Sequence, residues 1–181
     1  MKMTNRLLNH IVLCCVSLML IVSATASQAQ DAAPAARAHA VYVEVLGNGG
    51  AYSVNYERAL TPALRVRVGA ASWTAESFWS DAETRIQTFP MMLHVVSGGG
   101  AHHLETGIGV LPGYRGRDRE FGVSGGFVSL IALVGYRYEP PARRFVFRTG
   151  FTPFYGLGQS SNAYPDEGFL PSLGLSFGAR F

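Results

Sequence analysis

Phe169-Leu170-Pro171-Ser172-Leu173-Gly174-Leu175-Ser176-Phe177-Gly178-Ala179-Arg180-Phe181 alternates with a period of two. Phe169, Pro171, Leu173, Leu175, Phe177, Ala179 and Phe181 share one face. Leu170, Ser172, Gly174, Ser176, Gly178 and Arg180 share the other, which is almost all small or polar. Side chains on a strand point alternately to opposite faces, so this is a strand with one apolar surface. Alone it suits a soluble sandwich as well as a membrane sheet. The remaining segments decide between them.

Working backward from it, seven further segments carry the same period: 41–47, 52–58, 64–73, 85–96, 101–111, 127–138 and 144–155. One face holds Val41, Val43, Val54, Tyr56, Val66, Val68, Leu93, Ile108, Val134 and Phe147. The other holds Glu44, Glu57, Glu105, Arg65, Arg67, Arg137, Arg148 and Arg180. Most segments approach the length that crosses a bilayer as a tilted strand, about 9–11 residues. A sheet crossing lipid must close on itself, because hydrocarbon offers no partner for an edge N–H or C=O. Its outer face is then apolar and its lumen can be polar, the reverse of a water-soluble barrel. The eight charged residues are therefore expected as an ion network in the lumen, and they are expected to act structurally. The fold expected is all-β, an eight-stranded antiparallel up-and-down transmembrane β-barrel.

The connections support an up-and-down order. Tight turns are expected at Thr61-Pro62, at 97–100 and at Glu139-Pro140-Pro141, and Asn48-Gly49-Gly50 is a tight first loop. Longer loops are expected at 74–84, 112–126 and 156–168, on the side opposite the turns. Short periplasmic turns and longer outer loops are the usual asymmetry. Aromatic girdles are expected at both rims: Tyr52, Trp73, Phe78, Trp79, Phe154, Tyr155 and Phe169 outside, and Tyr136, Tyr138, Phe145, Phe147 and Phe181 inside. Pro90 falls within the fourth segment, where a missing N–H suggests a bulge or a late strand start. Ile131 and Leu133 lie on the inner face, so their strand is apolar on both sides.

The start of the chain reads differently. Residues 1–9 carry Lys2 and Arg6 and no acid, an apolar run covers 11–22, and small residues follow to Ala29. That order describes a secretory signal peptide over 1–29. Residues 30–38 read as a disordered leader, and 39–181 as the barrel. Cys14 and Cys15 sit inside the apolar run, away from a lipoprotein processing site, so the exported chain would carry no cysteine. Removing Lys2 and Arg6 takes the formal charge from +3 to +1, which gives no case for nucleic-acid binding. Lys2 is the only lysine, so every other cation of the 181-residue chain is Arg or His.

Leu173, Leu175, Phe177, Ala179 and terminal Phe181 resemble the C-terminal signature of bacterial outer-membrane barrels. In that group such an ending is read by the barrel-assembly machinery, so the resemblance implies the same role for Leu173, Leu175, Phe177 and Phe181. The overall plan looks like the OmpA-like and OmpX-like small barrels. The segments 52–58 and 103–109 are similar to those of small uncharacterised outer-membrane barrels and imply no activity. The resemblance implies a bacterial outer-membrane location and contact with its lipid and lipopolysaccharide.

An eight-stranded barrel has a lumen that side chains fill, so no wide pore is expected. Small barrels also include lipid A acylases and deacylases, which need a nucleophile and base within hydrogen-bond reach. The His-x-Ser arrangement of the deacylases is absent. The histidines beyond the signal are His39, His94, His102 and His103; His39 stands at the edge of the leader, while His102 and His103 are adjacent and point to opposite faces. No catalytic residue, metal or cofactor is therefore expected. The role expected is structural or loop-mediated binding, with a lipid A-modifying enzyme as the alternative. Arg115, Arg117 and Arg119 in the third loop are candidates for lipopolysaccharide phosphate, since guanidinium pairs with phosphate in a two-pronged geometry. No feature names a ligand, a host partner or an oligomer.

Overall fold

A computed structural model describes residues 38–77, 80–117, 125–157 and 168–181. The signal peptide and all but the last residue of the leader lie outside these. Eleven segments form one antiparallel sheet: β1 (His39–Val45), β2 (Tyr52–Ala59), β3 (Leu64–Ser77), β4 (Ser80–Thr88), β5 (Met91–Gly99), β6 (His102–Arg117), β7 (Gly125–Tyr138), β8 (Phe145–Phe151), β9 (Phe154–Gly156), β10 (Phe169–Leu170) and β11 (Leu173–Arg180). They compose eight staves, because β4 continues into β5, β8 into β9 and β10 into β11. Each stave pairs with the next in chain order, and β1 pairs with β11 to close the ring. The closing seam ends in a doubled hydrogen bond, His39 N to Phe181 O at 3.1 Å and Phe181 N to His39 O at 2.9 Å.

Pro90, Pro153 and Pro171 mark the three interruptions. None inserts a residue. Thr88 faces Ala71 and Gly113, while Met91 faces Val68 and Val110, so register is unchanged across Phe89-Pro90. No bulge forms at Pro90; the strand breaks at Phe89-Pro90 and β5 starts at Met91 in the same register. The proline removes one ladder donor, its carbonyl still accepts from Gly69 N at 2.8 Å, and neighbouring bonds hold the stave.

The loop side differs from expectation in two places. The second loop, expected at 74–84, is mostly strand: β3 and β4 continue as a paired hairpin to Ser77 and Ser80. The third loop narrows as well. Arg115 and Arg117 lie in β6, opposite Ile86 and Thr84 of β4, and are not loop residues. Both stretches lack apolar alternation because the hairpins extend beyond the apolar part of the wall. Phe78, Trp79 and Arg119 lie outside the described residues.

Side chains sort by the strand period. Val43, Val54, Leu93, Ile108, Val134 and Phe177 face outward, and Val54 and Ile108 keep more than half of their surface exposed (55% and 54%). Such a wide apolar exterior is foreign to a monomeric soluble protein. Two members of the expected outer girdle turn inward instead. Phe154 is buried, and Trp73 packs against the same inner cluster. Their strands run on past them, so both rings sit within the lumen and not at a rim.

Candidate functional site

The lumen is filled in two layers. Toward the loops, Ile86, Met92, Leu111, Phe127, Ile131, Leu133 and Phe154 form an apolar plug flanked by Trp73 and Leu170. Ile131 and Leu133 therefore face inward, and their apolar surface is covered by this cluster.

Toward the turns the filling is ionic. Glu57 accepts from both Nη atoms of Arg137 at 2.8 and 2.9 Å, and from Arg65 Nη1 at 3.0 Å. Glu105 accepts from Arg148 Nε and Nη2 at 2.7 and 2.8 Å. Glu139 accepts from Arg180 Nη1 at 2.6 Å, from Arg65 and from Arg137 Nε. Arg67 lies 3.4 Å from Glu44. The Arg148 guanidinium sits 4.7 Å above the Tyr42 ring. All eight residues assigned to the lumen from the sequence point inward, and each takes part in an ion pair.

Three further members lie outside the eight charged residues assigned from the sequence. His94 is fully buried on β5, with Nε2 at 3.2 Å from Glu57 and 3.1 Å from Glu105. Tyr42 faces inward from β1. Glu139 follows β7 in the stretch read as a turn. The signal for His94 and Tyr42 was parity: Tyr42 lies two residues from Glu44 on the inner face, and His94 lies one residue from the outward Leu93. With His94, every stave contributes at least one member.

Glu139 lies beyond the strands. Burial works to raise its pKa, but the charges of Arg137, Arg65 and Arg180 outweigh this and hold it below the usual carboxylate range. Glu57, His94 and Glu105 each offer an atom within 4.8 Å of the others. They do not suit a divalent cation, because both carboxylates are already held two-pronged by Arg137 and Arg148. A metal would have to displace guanidinium from both.

The first loop closes the other side of this layer. Residues 47–50 are buried and fold into the barrel mouth. In the amide orientation that satisfies both partners, Asn48 accepts from Arg67 Nη2 at 2.6 Å and donates to Ala132 O at 3.1 Å. Gly49 O accepts from Thr88 Oγ1 at 2.7 Å. The loop thus reaches from the β1–β2 hairpin to β7 on the far wall. A Cβ on Gly50, whose φ is +101°, would overlap the Trp73 ring.

These features define a closed eight-stranded up-and-down barrel of the outer-membrane type, apolar outside and plugged within. No protein-family model and no curated protein sequence matches the chain. Among solved structures it is similar to the N-terminal β-barrel domain of Pseudomonas aeruginosa OprF. The identity is 14% and the TM-score 0.58, over 78% of this chain and 97% of that one. It also matches Ail, the attachment invasion locus protein of Yersinia pestis, at 16% identity and a TM-score of 0.47, over 79% of this chain and 93% of that one. The OprF likeness concerns the fold.

Proposed function

We propose that this chain is an integral barrel of the bacterial outer membrane, without enzymatic activity and without a wide pore, serving a structural or loop-mediated binding role. One observation carries the reading: a closed sheet keeps its apolar side chains outside and buries Glu57, Glu105, Arg137 and Arg148 inside. Water would favour the opposite arrangement, and hydrocarbon favours this one. The test is fractionation of cells expressing the full chain. Recovery in the outer membrane, with faster migration in unheated than in heated gels, is expected. Recovery in the soluble periplasmic fraction would overturn the reading. Lipid A from the same cells is expected to be unchanged by mass spectrometry, and a gained or lost acyl chain would overturn the non-enzymatic part.

In this reading Leu173, Leu175, Phe177 and Phe181, which face outward, form the signal for the barrel-assembly machinery. Arg115 and Arg117, carried on β6 toward the loop end, together with Arg119, meet lipopolysaccharide phosphate. Changing all three to Gln is expected to weaken lipopolysaccharide retention, and equal retention would sink that contact.

A further inference from the structure

The rim at the short turns is not uniform in charge. On one arc Arg58, Arg143 and Arg144 are exposed. The acidic side chains described near this rim, Glu57, Glu105 and Glu139, are all buried in the lumen. The opposite arc, from β5 to β7, presents His102 with Tyr136 and Tyr138, and no exposed arginine among the described residues.

The basic arc is held in place. Arg180 reaches out of the lumen and donates Nη2 to Pro140 O at 2.7 Å and to Arg143 O at 2.9 Å. Its backbone N donates to Arg144 O at 2.7 Å, and Arg143 N donates to Pro140 O at 3.1 Å. The turn that carries Arg143 and Arg144 is therefore tied to β11. From there β11 pairs with β1, and His39 of β1 faces Arg58 of β2. Arg144 and Arg58 thus stand three strand spacings apart, roughly 14 Å.

Below the cations the wall is aromatic. Phe147 and Phe177 pair at 5.1 Å between ring centroids, next to exposed Phe145. His39 stacks between Tyr56 and Phe181, 5.8 Å from each, with Nδ1 at 2.6 Å from Tyr56 Oη.

We propose that this arc is a binding site for an anionic phospholipid, its phosphodiester held by Arg58, Arg143 and Arg144 and its acyl chains lying on Phe145, Phe147 and Phe177. Guanidinium matches phosphate in geometry and charge. The short-turn end faces the phospholipid leaflet in the orientation adopted above, so phospholipid is the source of that phosphate. The proposal rests on the membrane reading.

The test uses the protein extracted from membranes in detergent and mixed with equal amounts of phosphatidylglycerol and phosphatidylcholine. Lipid retained on the intact protein is then counted by mass spectrometry. Preference for phosphatidylglycerol is expected to fall roughly five-fold for each arginine removed, toward parity in R58Q/R143Q/R144Q. R58K/R143K/R144K keeps the charges and is expected to keep most of the preference. Arg85→Gln, at the loop end, is expected to leave it intact. No preference in the parent, its survival in the Gln variant, or equal loss in R85Q would each overturn the site. Insertion into vesicles of phosphatidylcholine alone separates the two claims. A protein that inserts without lipid preference sinks only this site, whereas failure to insert sinks the membrane reading and the site with it.

Discussion

Near the loops the lumen is closed by Leu111, Phe127 and Phe154; near the turns it is closed by Glu57, Glu105, Arg137 and Arg148. Both fillings exclude solvent, but they depend on different things. The apolar plug holds by shape, and its members can be exchanged for others of equal volume. The ionic layer holds by pairing, so each member matters through those left behind when it goes. Robustness to mutation should therefore differ sharply between two regions of one lumen.

The largest effect is expected from Arg137→Met, which strips Glu57 and Glu139 of a buried partner. It should cost about 3–5 kcal/mol in urea unfolding of the vesicle-bound protein. A cost under about 1 kcal/mol would erase the contrast. Leu111→Ala should cost about 3 kcal/mol by the same assay, while Leu111→Met should cost less than about 1.5 kcal/mol.

Acid provides the next separation. The lowered pKa of Glu139 means its contribution is present above the ordinary carboxylate range and lost as pH falls through its own lower value. Unfolding midpoints should drop between neutral and strongly acid pH, and Glu139→Gln should show a smaller drop. The penalty of L111A should be the same at both pH values. An equal acid response in E139Q and the parent would remove Glu139 from the ionic layer's pH response.

The smallest effect is expected when a pair is removed together. E105L/R148M should lose less than the sum of its single changes, by about 1–3 kcal/mol. Strict additivity would mean that Glu105 and Arg148 are not energetically coupled despite their 2.7 Å contact.

The two layers were unequally legible in the sequence. The wall follows from alternation, since a period of two with one face apolar leaves little choice once the sheet must close. Glu57 and Arg137 stood out because charge on a strand in lipid must point inward. Tyr42 shares the face of Glu44 by alternation, but His94 did not stand out, because it is not charged by default and its segment carries no inward charge. The first loop reads as an ordinary Asn-Gly-Gly turn, and only the closed barrel shows Asn48 reaching Ala132 on the far wall. The β3–β4 hairpin was hidden because its paired backbone at Ala75 and Thr84 needs no apolar face.

The doubled His39–Phe181 bond has a topological consequence. The two ends of the described barrel meet as neighbours in the wall, so the staves form a loop without a privileged starting point. Linking those ends and opening the chain at Gly99-Gly100 would leave every pairing of the wall available. Which hairpin is left uncut is then a property of how the chain is made, while the ring of contacts inside is indifferent to it.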